Sequence, residues 1–138
     1  FVVFFFLFLF FLFVCNDWVT PQDTNLWGDA NRTNNVCPVG WHVPSQTEWA
    51  AWASAAGVSS CSSNCLNVLY GTSLKLPSAG DRNGSNGSLG NQGSFGGYWS
   101  STVNGANAYF LSFGATGVLP ANLNGRAGGF SVRCIQGS

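Results

Sequence analysis

The first fourteen residues, Phe1 to Val14, contain no polar side chain. The pattern then inverts. Asn16 to Val36 is rich in Asn, Asp and Thr, includes Pro21, and reads as an irregular linker from which Trp18 and Trp27 fold back onto the downstream domain. Cys37 to Pro44 is a short extended stretch. Ser45-Gln46-Thr47-Glu48 then fits a capping box, in which the serine hydroxyl caps a helix and the glutamate reaches back to the cap. The spacing predicts a helix over about 46–56, with Trp49, Trp52, Ala53 and Ala56 on one apolar face and Gly57 ending it. A second short helix or turn is predicted near Leu66 to Tyr70. From Ser73 the period changes to two, with Leu74 and Leu76 alternating before Pro77. Asp81 to Gly97 reads as a long loop of Gly, Asn and Ser, of a length that is usually functional or disordered. Three strands are predicted after it: Tyr98 to Thr102, Ala106 to Phe113, and Gly129 to Gln136. In the last, Phe130, Val132 and Cys134 share a face. Helices first, then short strands and long loops, indicate α+β.

The leader must be buried in something. As a helix it would span about 21 Å, short of the roughly 30 Å hydrocarbon core; as a strand it would span about 46 Å. Left in water, it would forfeit on the order of 25 kcal/mol at roughly 2 kcal/mol per side chain. Packing against copies of itself, through Phe1, Phe4, Phe5, Phe8, Phe11 and Val14, is the reading adopted. A membrane anchor or residual signal-peptide core is the rival, and the domain's own core a third possibility. The chain contains no Met, so it reads as a processed product or a fragment that retains its leader.

Charge narrows the classes of partner. Lys and Arg total 5, Asp and Glu total 5, and charged residues are 7% of the chain. No electrostatic footprint for nucleic acid results. Neutrality also removes the repulsion that keeps copies apart.

The five cysteines are Cys15, Cys37, Cys61, Cys65 and Cys134. Spacing alone does not fix their pairing. The expectation is Cys37 with Cys134, tying the start of the domain to its last strand, and a local clip between Cys61 and Cys65. Disulfides imply an oxidising compartment, hence an extracellular or cell-surface protein. Cys15 is left as a buried thiol, an intermolecular disulfide, or a lipid-modified residue in a loose lipobox, Leu12-Phe13-Val14-Cys15.

Several blocks in order carry a family likeness: Cys37-Pro38 with Gly40-Trp41-His42-Val43-Pro44-Ser45; Glu48-Trp49; Leu76-Pro77-Ser78-Ala79-Gly80-Asp81-Arg82-Asn83; Gly87-Ser88-Leu89; Tyr98-Trp99-Ser100-Ser101-Thr102 with Ala108-Tyr109; and Gly129-Phe130-Ser131-Val132-Arg133-Cys134. From Cys37 to Ile135 the chain resembles the Fibrobacter succinogenes major paralogous domain of bacterial surface proteins. It departs from that pattern at Asp81, where an aromatic is commoner, and in its leader. The resemblance implies a C-type-lectin-like fold: one or two helices, small twisted antiparallel sheets and long loops. It implies no activity. The organisation expected is an apolar assembly or anchor segment (1–15), a polar linker (16–36) and a lectin-like domain (37–136).

Candidate chemistry is sparse. The carboxylates are Asp17, Asp23, Asp29, Glu48 and Asp81; three lie in the linker and Glu48 serves the helix cap. His42 reads as a structural imidazole. The motifs that hold calcium in sugar-binding C-type lectins are absent. Asp81, Asn83 and Asn86 read as a hydrogen-bonded turn rather than a calcium site. Trp99 with Tyr98 and Tyr109 is a possible stacking platform for a sugar, against a core role for the same strand. Asn31-Arg32-Thr33, Asn83-Gly84-Ser85 and Asn86-Gly87-Ser88 are glycosylation sequons, meaningful where the host glycosylates. The expectation is a non-enzymatic extracellular subunit that assembles into a filament or tube through its leader and displays the domain. The alternative is a membrane-anchored surface protein with a carbohydrate- or protein-binding module. No cofactor, metal or nucleic acid is expected.

Overall fold

A computed structural model describes residues 17, 19, 21–26 and 34–137. The leader with its helix-or-strand question, its candidate contacts Phe1, Phe4, Phe5, Phe8, Phe11 and Val14, Cys15, the tryptophans Trp18 and Trp27, and the sequon at Asn31 lie outside the described residues.

The domain is a small α+β unit. Strand β1 (Trp41–His42) leads to helix α1 (Gln46–Ala55) and helix α2 (Cys65–Gly71); the hairpin β2 (Asp81–Arg82) and β3 (Leu89–Gly90) follows. Strands β4 (Gly96–Asn104), β5 (Asn107–Gly114) and β6 (Gly117–Gly125) form an antiparallel sheet in that order, and β7 (Ile135–Gln136) returns to pair with β1.

Helix α1 starts and stops as its sequence dictates. Ser45 Oγ accepts from Glu48 N, and Ser45 N donates to Glu48 Oε2 at 2.7 Å, which completes the capping box. At the other end Gly57 has φ +68°, Gly57 N donates to Ser54 O and Val58 N to Ala53 O. Those two bonds are a Schellman closure, and buried Val58 supplies its apolar contact. Trp49 and Ala53 are buried and Trp52 partly so, while Ala56 is exposed.

The sheet is covered on both faces. Tyr98, Leu111, Phe113 and Val118 pack with Trp49, Ala53, Cys65 and Leu69 of the helices. On the opposite face Trp99, Ala108 and Phe110 pack with Phe95 and Phe130. Trp49 Nε1 donates to Trp99 O at 3.2 Å, so helix and strand are joined by a buried polar bond inside the first cluster.

Both expected disulfides form: Cys37–Cys134, 97 residues apart, and Cys61–Cys65. In chain-entropy terms a loop near 100 residues gives up to about 4.7 kcal/mol. The long bridge lies beside the β1–β7 ribbon and closes the first element on the last.

Three expectations are corrected. The stretch 81–97 is not one long loop. Arg82 exchanges two backbone bonds of 2.8 Å with Gly129, which pins the β2–β3 hairpin, and β4 already begins at Gly96. The stretch 129–136 is not one continuous strand: Gly129 and Ser131 make isolated bridges and only Ile135–Gln136 forms a ladder. Leu74 and Leu76 form no strand; they pack on the first cluster from an irregular segment. Strand β6 escaped sequence reading because Pro120 interrupts it. Phe110 pairs with Asn122 and Ser112 with Leu119, so Pro120 falls in a bulge, where its missing N–H is tolerated.

His42 is 4% exposed; its Nε2 lies 2.8 Å from Glu48 Oε1 and its Nδ1 lies 3.2 Å from Gly137 O. It joins the helix cap to the β1–β7 ribbon. Burial pulls the Glu48 carboxyl upward, but the Ser45 backbone N–H, the His42 imidazole and the Ser45 hydroxyl outweigh it and hold the group below its ordinary 4.5. A carboxyl depressed in the folded state stabilises the fold above its unfolded pKa, and that contribution is lost as pH falls through the folded value. Glu48→Gln is expected to cost about 1 kcal/mol at pH 7, and the difference from the parent is expected to shrink as pH drops below 4.5. Urea midpoints of both proteins at neutral and acid pH check this.

Candidate functional site

The second face of the sheet carries a half-open cavity of about 310 Å³. Trp99, Ala108 and Phe130 form its floor, and Val103, Ser100 and Ser101 one wall. The backbone of Gly128 and Gly129 forms another, and Asp17, Asp23, Thr24 and Leu26 lie over it as a strap.

Local backbone irregularities build this shape. The β4–β5 register shifts between Trp99 and Val103. Ser101 N turns away to Pro44 O at 2.9 Å, and the shifted stretch carries Ser100 and Ser101 into the wall. Gly97 has no room for a side chain, because a Cβ there would meet the Phe130 ring at 2.6 Å. Phe130 can therefore lie against the strand, stacked on Phe110 at 4.3 Å and tilted against Trp99 at 4.7 Å.

Arg126 holds the strap in place. Its Nη1 donates to Asp17 Oδ2 at 3.3 Å and to Asp23 O at 3.0 Å. Its Nη2 donates to Gly105 O at 2.6 Å and its Nε to Asn107 O at 3.5 Å. Gln22 Nε2 donates to the same Gly105 carbonyl at 3.0 Å. The Arg126 and Asp17 side chains are 8% and 12% exposed, so this ion pair is shielded and internally neutral. The cavity is mostly apolar, with a few hydroxyls and a compensated charge pair among its lining residues.

The residues considered for a sugar platform do not form one surface. Tyr98 and Trp99 are successive residues, 3% and 5% exposed, on opposite faces of β4. Tyr98 stacks on Phe113 and its hydroxyl donates to Pro77 O at 2.8 Å; burial pushes its phenol pKa up, against the nearby Arg133 charge and the Ser131 bond. Tyr109, two residues before Leu111, shares the helix-side face. Only Trp99 reaches the cavity. Asp81, Asn83 and Asn86 are each engaged locally: Asp81 Oδ1 accepts from Asn91 Nδ2 at 2.6 Å, Asn83 Oδ1 from Ser85, and Asn86 Oδ1 from Ser88 N at 2.9 Å. Among the described residues no three His, Cys, Asp or Glu side chains gather as a metal site would require. Cys37, Cys134, Cys61 and Cys65 are joined in the two disulfides described above.

Sequence reading missed Arg126. The available signal was a lone cation inside Gly125-Arg126-Ala127-Gly128-Gly129, in a chain with few charges. A charge in a glycine-rich turn of such a chain has a partner to find.

A family model described as the Fibrobacter succinogenes major domain matches residues 26–136, beginning inside the stretch read as linker. No curated protein and no solved structure matches the chain.

Arg126→Met keeps the stem of the side chain and removes every guanidinium bond. Amide hydrogen exchange across the described strap residues 21–26 is expected to accelerate at least about tenfold, a 1.4 kcal/mol change in local opening, while β5 stays protected. Unchanged exchange in the strap would show that Arg126 does not hold it.

Proposed function

The chain belongs to the Fibrobacter succinogenes major domain family through residues 26–136, and from that membership we propose that it is a non-enzymatic extracellular module of C-type-lectin-like architecture. Its cavity under the strap receives a small neutral ligand of the carbohydrate class. The observation that carries this reading is the cavity itself: an aromatic floor, hydroxyls on the wall and strap, and an ion pair that needs no charged guest. Sugar rings have apolar faces and hydroxyl edges, which suits that mixture. The two disulfides support export to an oxidising compartment. The non-enzymatic reading is supported by the described carboxylates, which are occupied structurally. Asp17 pairs with Arg126, Asp23 Oδ1 accepts from Asn25 N, Glu48 serves the cap, and Asp81 holds Asn91.

Trp99 is unsuited to a truncation test, because it is packed against both Phe110 and Phe130 and its loss would cost about 3–5 kcal/mol. Thr24 and Val103 line the cavity at exposed positions. Thr24→Trp and Val103→Trp are expected to weaken binding of neutral saccharides on a glycan array at least about tenfold with no loss of thermal midpoint. Binding is expected to survive a chelator. Absence of saccharide binding, or its loss on chelation, would sink this reading.

A second reading concerns the leader. Its fourteen apolar residues and the chain's net charge of zero favour packing of copies into a filament or tube that displays the domain. Electron microscopy of the full chain beside one starting at Asn16 tests it. Ordered polymers from the first and monomers from the second are expected, and unchanged polymers from the truncated chain would count against it.

A further inference from the structure

The β2–β3 hairpin carries two consecutive acceptor motifs, Asn83-Gly84-Ser85 and Asn86-Gly87-Ser88, in its exposed turn. They differ in one structural respect. Asn83 Oδ1 accepts from Ser85 N at 2.8 Å and also from Ser85 Oγ at 2.6 Å. Asn86 Oδ1 accepts from Ser88 N at 2.9 Å but receives nothing from the Ser88 hydroxyl among the described residues. The third position of the motif therefore engages the acceptor amide at Asn83 and not at Asn86.

The turn is presented on a fixed stem. Asn83 N donates to Ser88 O at 2.9 Å, Gly87 N to Asn83 O at 2.8 Å, and Arg82 Nη1 to Gly87 O at 2.6 Å. Gly84 sits against the Ala127–Gly128 backbone, where a Cβ would meet Ala127 C at 2.8 Å. One side of the turn is thus seated while the Asn83 side chain stays exposed, and its Nδ2 makes no hydrogen bond among the described residues.

We propose that Asn83 is an N-glycosylation site, preferred over Asn86, with a lipid-pyrophosphate-linked oligosaccharide as donor and an oligosaccharyltransferase of the exporting cell as catalyst. Asn83 Nδ2 forms a bond to the anomeric carbon of the oligosaccharide. The bond from that carbon to the phosphate oxygen breaks, the lipid pyrophosphate leaves with the electron pair, and the Nδ2 proton passes to a base of the transferase. The two hydrogen bonds into Oδ1 draw electron density onto oxygen, which makes the Nδ2 proton easier to remove. The serine hydroxyl is the group that distinguishes an acceptor motif from an ordinary Asn-Gly turn. The same fold that makes two disulfides implies passage through a compartment outside the cytosol.

The test uses the full chain isolated from the cells that produce it. Cleavage after Arg82 and Arg126 releases residues 83–126 as one peptide containing both motifs. Fragmentation mass spectrometry is expected to find a glycan on this peptide, with Asn83 occupied at least about tenfold more than Asn86, equivalent to a 1.4 kcal/mol preference. Ser85→Ala is expected to abolish occupancy at Asn83 without shifting the thermal midpoint. A bare peptide would overturn the proposal, and so would Asn86 occupied as fully as Asn83 or occupancy of Asn83 that survives Ser85→Ala.

Discussion

From Gly96 to Ser100 strand β4 is buried on both faces, and the rest of the domain is arranged around that constraint. Tyr98 points into the helix-side cluster and Trp99 into the opposite one, so successive side chains demand burial in two directions. A strand buried on both faces tolerates little bulk where rings cross it. At Gly96 a Cβ would lie 2.1 Å from the Phe113 ring, and at Gly97 it would lie 2.6 Å from the Phe130 ring. The two glycines are thus the counterpart of the two phenylalanines, one pair for each face. The helices must cover one side, and the returning segment 129–131 covers the other. That return brings Cys134 back to Cys37 and β7 back to β1. It also covers the outer edge of β4, where Trp99 N donates to Ser131 O and Ser131 N to Gly97 O, both at 3.0 Å.

With so few charges, amide and hydroxyl side chains do the local holding. Asn83, Asn86 and Asp23 each accept a backbone N–H two residues on, which fixes turns that glycine alone would leave loose. The same device protects the open edge of the sheet. Among the described residues strand β6 pairs only with β5, and it carries no charged residue, the usual deterrent at an edge. Instead Asn122 Oδ1 accepts from Leu123 N and Asn124 Oδ1 from Gly125 N. Those donors are occupied by the strand's own side chains, and the Pro120 bulge interrupts the edge further along. The sheet is therefore poorly prepared to add a strand from another copy.

What could be read from sequence was local or patterned. The capping box at Ser45 and Glu48, the terminating Gly57 and the apolar face of α1 depend on residues close in sequence; the cap and the stop formed, and the face formed through Trp49, Trp52 and Ala53 but not Ala56. The α+β class, the short α2 and two of the sheet strands were signalled by a change of period. Strand β6 was hidden because its proline is permitted only by a bulge against Leu111, which no local pattern announces. The 81–97 hairpin was hidden because its stability comes from Gly129, far along the chain. The cavity was hidden for the same reason. Asp17, Gly105 and Arg126 are distant in sequence, and only the closed fold brings them together. Trp99 was recognised as notable, yet its two readings, ligand platform and core, are not exclusive. It is core for most of its surface and cavity floor for the rest.

Arg126 also joins residues inside the family match to residues that precede it. The floor and wall of the cavity, from Trp99 to Phe130, lie within the matched residues 26–136. Of the strap residues, Asp17, Asp23 and Thr24 precede the match and Leu26 opens it. A planar guanidinium can address acceptors in several directions while keeping its charge, which a lysine ammonium on a flexible stem does less well. Here it reaches one carboxylate and three backbone carbonyls, from the strap, the β4–β5 turn and β5. The floor thus lies within the matched domain, whereas the roof is a linker fastened by Arg126 with Gln22 beside it. The strap adds the Thr24 hydroxyl and the Asp17 and Asp23 carboxylates, the wall adds the Ser100 and Ser101 hydroxyls, and the floor offers aromatic and aliphatic surface.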